Sequence, residues 1–126
     1  MAGDKSELKA LIKSHLGDSY YYSDAPESAT YPYRVGELAT SFNDENSEVF
    51  QFELDYWGRK DTDLDNLIGA DAGNGNSINP SGLHNAILRG SKTVAFFTRE
   101  GQTSIADPDR NLRRIRVTYT VRTYYF

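Results

Sequence analysis

Between Ser47 and Gly58, apolar and polar side chains alternate: Phe50, Phe52, Leu54 and Tyr56 fall on one parity, and Gln51, Glu53 and Asp55 on the other. A period of two over this length predicts a strand with one face in a core and the other in water. The turn-forming cluster Asn43-Asp44-Glu45-Asn46 comes just before it, after an extended segment from Tyr33 to Phe42, so the two segments predict an antiparallel hairpin. The alternation returns near the C-terminus. Across Lys92–Glu100, Val94, Phe96 and Thr98 oppose Ala95 and Phe97. From Asn111 onward, Ile115, Val117, Tyr119 and Val121 oppose Arg114, Arg116, Thr118, Thr120 and Arg122. Asp107-Pro108-Asp109, within the 101–110 connection, supplies the turn between these two strands.

Elsewhere the spacing is helical. Leu8, Leu11, Ile12 and Leu16 form a stripe of period 3.6, with Asp4 as cap, Glu7 completing a capping box and Gly17 as the stop. A short helical signal begins at Thr62, with Leu64, Leu67 and Ile68 on one side, and 69–76 reads as loop. A third helix is predicted from Asn79 as cap and Pro80 at its first position, through Leu83, Ala86 and Ile87, to Gly90. Tyr20–Ser23 reads as a short strand, and Tyr31-Pro32 forces extended backbone into the next one. Together these elements predict one α+β domain over 1–126. Its antiparallel β-sheet has about four to five strands, with two to three helices packed on one face.

Composition narrows the chemistry. The 126 residues are 38% apolar and 25% charged, a globular balance. With no cysteine, a disulfide framework, a thiolate metal site and a cysteine nucleophile are all excluded. The longest apolar run, Val94 to Phe97, is far below the ~20 residues of a membrane span. Met1-Ala2-Gly3-Asp4-Lys5 lacks a signal pattern, so neither export nor a membrane partner is expected. Net charge is −4, split as −7 over residues 1–63 and +3 over 64–126. An acidic chain is a poor nonspecific binder of polyanions. Opposite charge on two halves favours head-to-tail contact between identical copies.

Candidate chemistry is sparse. Asp61, Asp63 and Asp65, beside Asn66, offer the oxygen donors that a hard divalent cation takes. The run departs from a calcium loop, with Asn66 where glycine belongs and Ala72 where glutamate belongs. Acidic residues opening a helix account for it equally, since the helix dipole favours negative charge there. His15 and His84 stand in neither a Gly-x-Ser-x-Gly nor a His-Glu-x-x-His context. The glycines at 69, 73 and 75 do not match a phosphate-binding loop. Arg114, Arg116 and Arg122 make a basic stripe on one strand face. Glu53 and Asp55 on a neighbouring strand, or a neighbouring copy, would balance it.

Three stretches carry a resemblance. YYYSDAPESATYPYRVGEL (20–38) follows the Leu8–Leu16 helix with a strand, a loop through Pro26 and the Tyr31-Pro32-Tyr33 entry into the next strand. FQFELDYWGR (50–59) ends a long strand in an aromatic pair, and NLRRIRVTYTVRTYY (111–125) is a basic-aromatic final strand. In this order they resemble the siphovirus tail-completion family, also called tail-to-head joining or tail-terminator proteins. The chain departs from that family at 69–82, where a longer continuous helix is the family pattern. The resemblance implies a virion protein of the tail-neck region, assembled in the host cytoplasm. It would act as a ring, typically hexameric, that caps the tail tube and joins it to the head connector. It also implies no catalysis and no cofactor, with DNA passing through the lumen without specific binding. On that reading Asp44, Glu45, Glu48, Glu53 and Asp55 are candidates for the lumen. Arg114, Arg116 and Arg122, with Gly73, Asn74, Gly75 and Asn76, are candidates for subunit or partner contacts, the 60–79 segment ordering on assembly. The alternative is a metal-dependent DNA endonuclease using Asp61, Asp63 and Asp65, because Asp-Leu-Asp-Asn-Leu (63–67) also resembles the metal-binding segment of RusA-type junction resolvases.

Overall fold

A computed structural model describes residues 5–44, 46–75 and 82–126. Helix α1 (Lys5–Leu16) leads into β1 (Tyr20–Tyr22), β2 (Tyr33–Asp44) and β3 (Ser47–Gly58). Helix α2 (Asp61–Asp71), β4 (Ile87–Arg89), β5 (Thr93–Ile105) and β6 (Arg113–Tyr125) complete the chain. The strands form one sheet in the order β1-β2-β3-β6-β5-β4, curled as a half-barrel. Every pairing is antiparallel except that of β1 with β2, which is parallel.

This architecture corrects the expected α+β fold of four to five antiparallel strands with two to three helices. Strand dominates, the sheet is mixed and has six strands, and two helices are present among the described residues. The predicted third helix is the largest difference. Asn79 and Pro80 lie outside the described residues, but beyond them a turn over 83–86, with Asn85 at φ +62°, leads into strand β4. Leu88 is buried while Ile87 and Arg89 on either side are exposed, which is the strand period. The cause is the free edge of β5. Ala86 accepts a hydrogen bond from the Phe97 N–H at 3.0 Å, and Asn85 donates to the Phe97 carbonyl at 2.9 Å, so 85–89 gains sheet partners that a helix would forgo. The 69–76 loop is corrected as well, because α2 continues through Gly69, Ala70 and Asp71.

The core lies on one face of the sheet, under both helices. Leu8, Ile12 and Leu16 of α1 and Leu64 and Ile68 of α2 pack with Phe52, Leu54, Phe97, Val117 and Tyr119. The stripe and the alternation therefore meet as predicted. Gly17, with φ +94°, ends α1, while the Asp4 cap lies outside the described residues. A buried polar knot fastens the helix ends to the sheet. Arg34 donates to the Asp71 carboxylate at 2.7 Å, to the Leu16 carbonyl at 2.9 Å and to the Ser19 hydroxyl at 2.7 Å. The Tyr56 hydroxyl donates to the same Asp71 oxygen at 3.0 Å. Among the described residues, no helix is long and apolar enough to cross a membrane.

Candidate functional site

The sheet face away from the helices carries the polar parity of β2, β3 and β6, and register decides which groups meet there. Asp55 lies opposite Arg116 and beside Arg114. Arg114 donates to Asp55 Oδ2 at 2.5 Å, Arg116 Nε donates to Oδ1 at 2.8 Å, and Arg116 also pairs with Glu53 at 2.7 Å. Burial by itself pushes the Asp55 carboxyl up. Hydrogen bonds from Arg116 and Arg114, with their charges, more than reverse this and hold it below the ordinary carboxylate range. Arg122 donates to the Ser47 hydroxyl at 3.0 Å. The basic stripe anticipated in the sequence is thus real, and cross-strand acids engage two of its members.

An aromatic ladder continues this row, and sequence reasoning missed it. The Arg114 guanidinium lies 4.7 Å over Trp57, Trp57 stacks with Tyr33 at 6.4 Å, Tyr33 with Tyr31 at 5.3 Å, and Arg59 covers Tyr31 at 4.8 Å. The visible signal was the two-residue spacing of Tyr31 with Tyr33 and of Trp57 with Arg59. Only the pairing of Tyr33 with Trp57 joins the two. Trp57 thus holds both a guanidinium and a tyrosine ring against it, contacts that stiffen this corner of the sheet. Beside it, a cavity of about 260 Å³ is bounded by Asp24, Glu37 and Glu53 as well as Asp55 and the two arginines.

The other anticipated residues scatter. Glu48 faces the helix side, buried, and accepts a hydrogen bond from the Tyr125 hydroxyl at 2.9 Å. Asp44 closes β2 opposite Ser47, and Glu45 lies outside the described residues. Gly73 and Gly75 pair with His84 through its N–H and carbonyl, each at 3.1 Å, and Asn74 accepts from the Asn85 amide at 3.1 Å. The 60–79 segment is therefore built into the fold as far as Gly75, while Asn76 lies outside the described residues. Asp61, Asp63 and Asp65 all lie in α2, with Asp61 exposed and 3.3 Å from Arg113. Among the described residues, no three His, Asp or Glu side chains are grouped to hold a metal ion. Both histidines serve the backbone. His15 Nε2 meets the Gly82 carbonyl at 3.0 Å, and His84 Nδ1 accepts the Arg99 N–H at 3.1 Å.

No protein-family model matches the chain. No curated protein matches it either. Among solved structures, the fold is similar to a chain in the virion of a native gene transfer agent particle, with a TM-score of 0.60 and 13% sequence identity. The similarity covers 95% of this chain and 89% of that one. At this identity what the two chains share is the fold.

Proposed function

We propose that the chain is a structural protein of a phage-like virion that performs no reaction. In this reading it closes the tail tube and joins it to the head connector as a ring of identical copies, typically six. The supporting observation is the shared fold with a chain of a virion particle over nearly the full length of both. The ordered motifs at 20–38, 50–59 and 111–125 support the finer assignment to the tail neck. A ring requires two unlike surfaces on each copy that complement one another, and the excess of acid in one half and of base in the other suits that need. The polar sheet face turns to the lumen in this reading. Arg114 and Arg116 there are already engaged by Asp55 and Glu53. Passing DNA then meets little uncommitted positive charge, and the counterion release that drives phosphate binding is small.

The test is electron microscopy of particles that carry an epitope on this chain. Label at the neck, together with separate heads and tails when the gene is deleted, is the expected result. Label elsewhere, or its absence from mature particles, would sink the reading.

A further inference from the structure

The two lateral edges of the sheet are stepped, and the steps match. On one side β1 covers β2 only at Arg34–Gly36, and among the described residues no strand covers Phe42–Asp44. On the other side β4 pairs with β5 at Val94–Phe96, Asn85 and Ala86 extend that cover to Phe97, and no described strand covers Gln102–Ser104. Following the register across the sheet, Tyr21 is level with Val35, Asp55, Arg116 and Thr103. Likewise Ile87 is level with Phe96, Arg122, Val49 and Phe42. The projection on each edge therefore stands at the height of the recess on the other.

From this we infer that neighbouring copies join edge to edge with no shift along the strands. β1 of one copy adds to Gln102–Ser104 of the next, and β4 of that copy adds to Phe42–Asp44 of the first. The inference deepens the ring reading, because it rests on copies of this chain being neighbours. Strand directions allow both halves of the seam: β1 runs antiparallel to β5, and β4 runs parallel to β2. The chemistry selects a second copy as the occupant. Ile87 and Phe42, 51% and 64% exposed, are level on one face, so the seam covers two of the large apolar side chains left in water. The open edges, which would otherwise invite indiscriminate strand pairing, are closed by the same contact.

Cysteine cross-linking tests the seam, since the natural chain has none. Within one copy, positions 42 and 87 lie four interstrand spacings of about 4.8 Å apart, beyond the ~7 Å that a disulfide spans between Cα atoms. The full chain carrying Phe42→Cys and Ile87→Cys, oxidised after assembly, should give a reducible ladder of multimers. Its longest member should equal the copy number of the ring seen by negative stain, and each single variant, whose thiol faces none across the seam, should stay uncross-linked. Tyr21→Cys with Thr103→Cys tests the other half independently. Rings without a ladder from either pair overturn the seam and leave the ring reading standing. A ladder with open filaments supports the seam and removes the ring. A chain that stays monomeric and forms no ladder overturns both.

Discussion

Arg34 and Asp71 meet at 2.7 Å in the interior, tying the second strand to the last residue of the second helix. They are 37 residues apart in sequence, and both side chains are nearly inaccessible. Burial raises the Asp71 carboxyl above its ordinary value, while the charge and hydrogen bonds of Arg34 pull the other way. Desolvation offsets much of the attraction in such a pair, and removing one member leaves the other uncompensated.

Arg34→Met should therefore cost about 3–5 kcal/mol, read as a lower urea midpoint. Arg34→Met with Asp71→Leu should recover part of that loss by removing the stranded carboxylate. A double variant no more stable than the single one would refute this account.

The outer ion pairs of Asp55 with Arg114 and Arg116 contribute to the pH dependence. The folded Asp55 carboxyl is held below its ordinary value, so it binds fewer protons folded than unfolded. The resulting stability is present above the unfolded carboxylate pKa of ~4 and is lost as pH falls through the folded value. Asp71, raised by burial, contributes with the opposite sign, losing stability as pH rises through its window. Unfolding free energy measured between pH 7 and pH 3 should fall less steeply in Asp55→Asn than in the natural chain. Equal slopes would show that these pairs do not contribute.

Two glycines should respond in opposite directions. A Cβ on Gly36 would lie 2.7 Å from the Phe52 and Tyr20 rings, so Gly36→Ala should cost about 1–3 kcal/mol through overpacking. Gly69, inside the second helix, has nothing within 4 Å of such an atom, and Gly69→Ala should stabilise by up to ~1 kcal/mol. Chemical denaturation reads both, and a neutral Gly36→Ala would mean the sheet relaxes around the new methyl.

Glu7 joins the first helix to the turn before the fifth strand. Its carboxylate accepts from the Lys92 N–H at 2.9 Å, the Ser91 hydroxyl at 2.8 Å and the Ser91 N–H at 3.1 Å. These bonds, the Lys92 amide foremost, hold the carboxyl below its ordinary value. Glu7→Ala should speed hydrogen exchange at the Ser91 and Lys92 amides while amides of the third strand stay protected. Unchanged exchange at both sites would remove the proposed tie.

The local pattern was enough for Ser47–Gly58, whose bounds the alternation marks at both ends, and for the two faces of the sixth strand. Parity depends only on which neighbours a residue has in the chain, so it survives without tertiary information. It also put Glu53, Asp55, Arg114 and Arg116 on polar faces. Which acid meets which base required the register between strands 59 to 61 residues apart. The same limit explains the failures. Leu83, Ala86 and Ile87 satisfy a helical stripe, yet the open edge of the fifth strand draws 85–89 into the sheet. Likewise nothing near Tyr20–Tyr22 indicates a parallel partner, and nothing near Ile87 indicates that it stands level with Phe42 across five strands. Sequence by itself determined side-chain periodicity, charge and the absence of thiol chemistry. Tertiary structure alone decided pairing, burial of Asp71 and the shape of the edges, because each is a relation between segments whose meeting is set by the whole core.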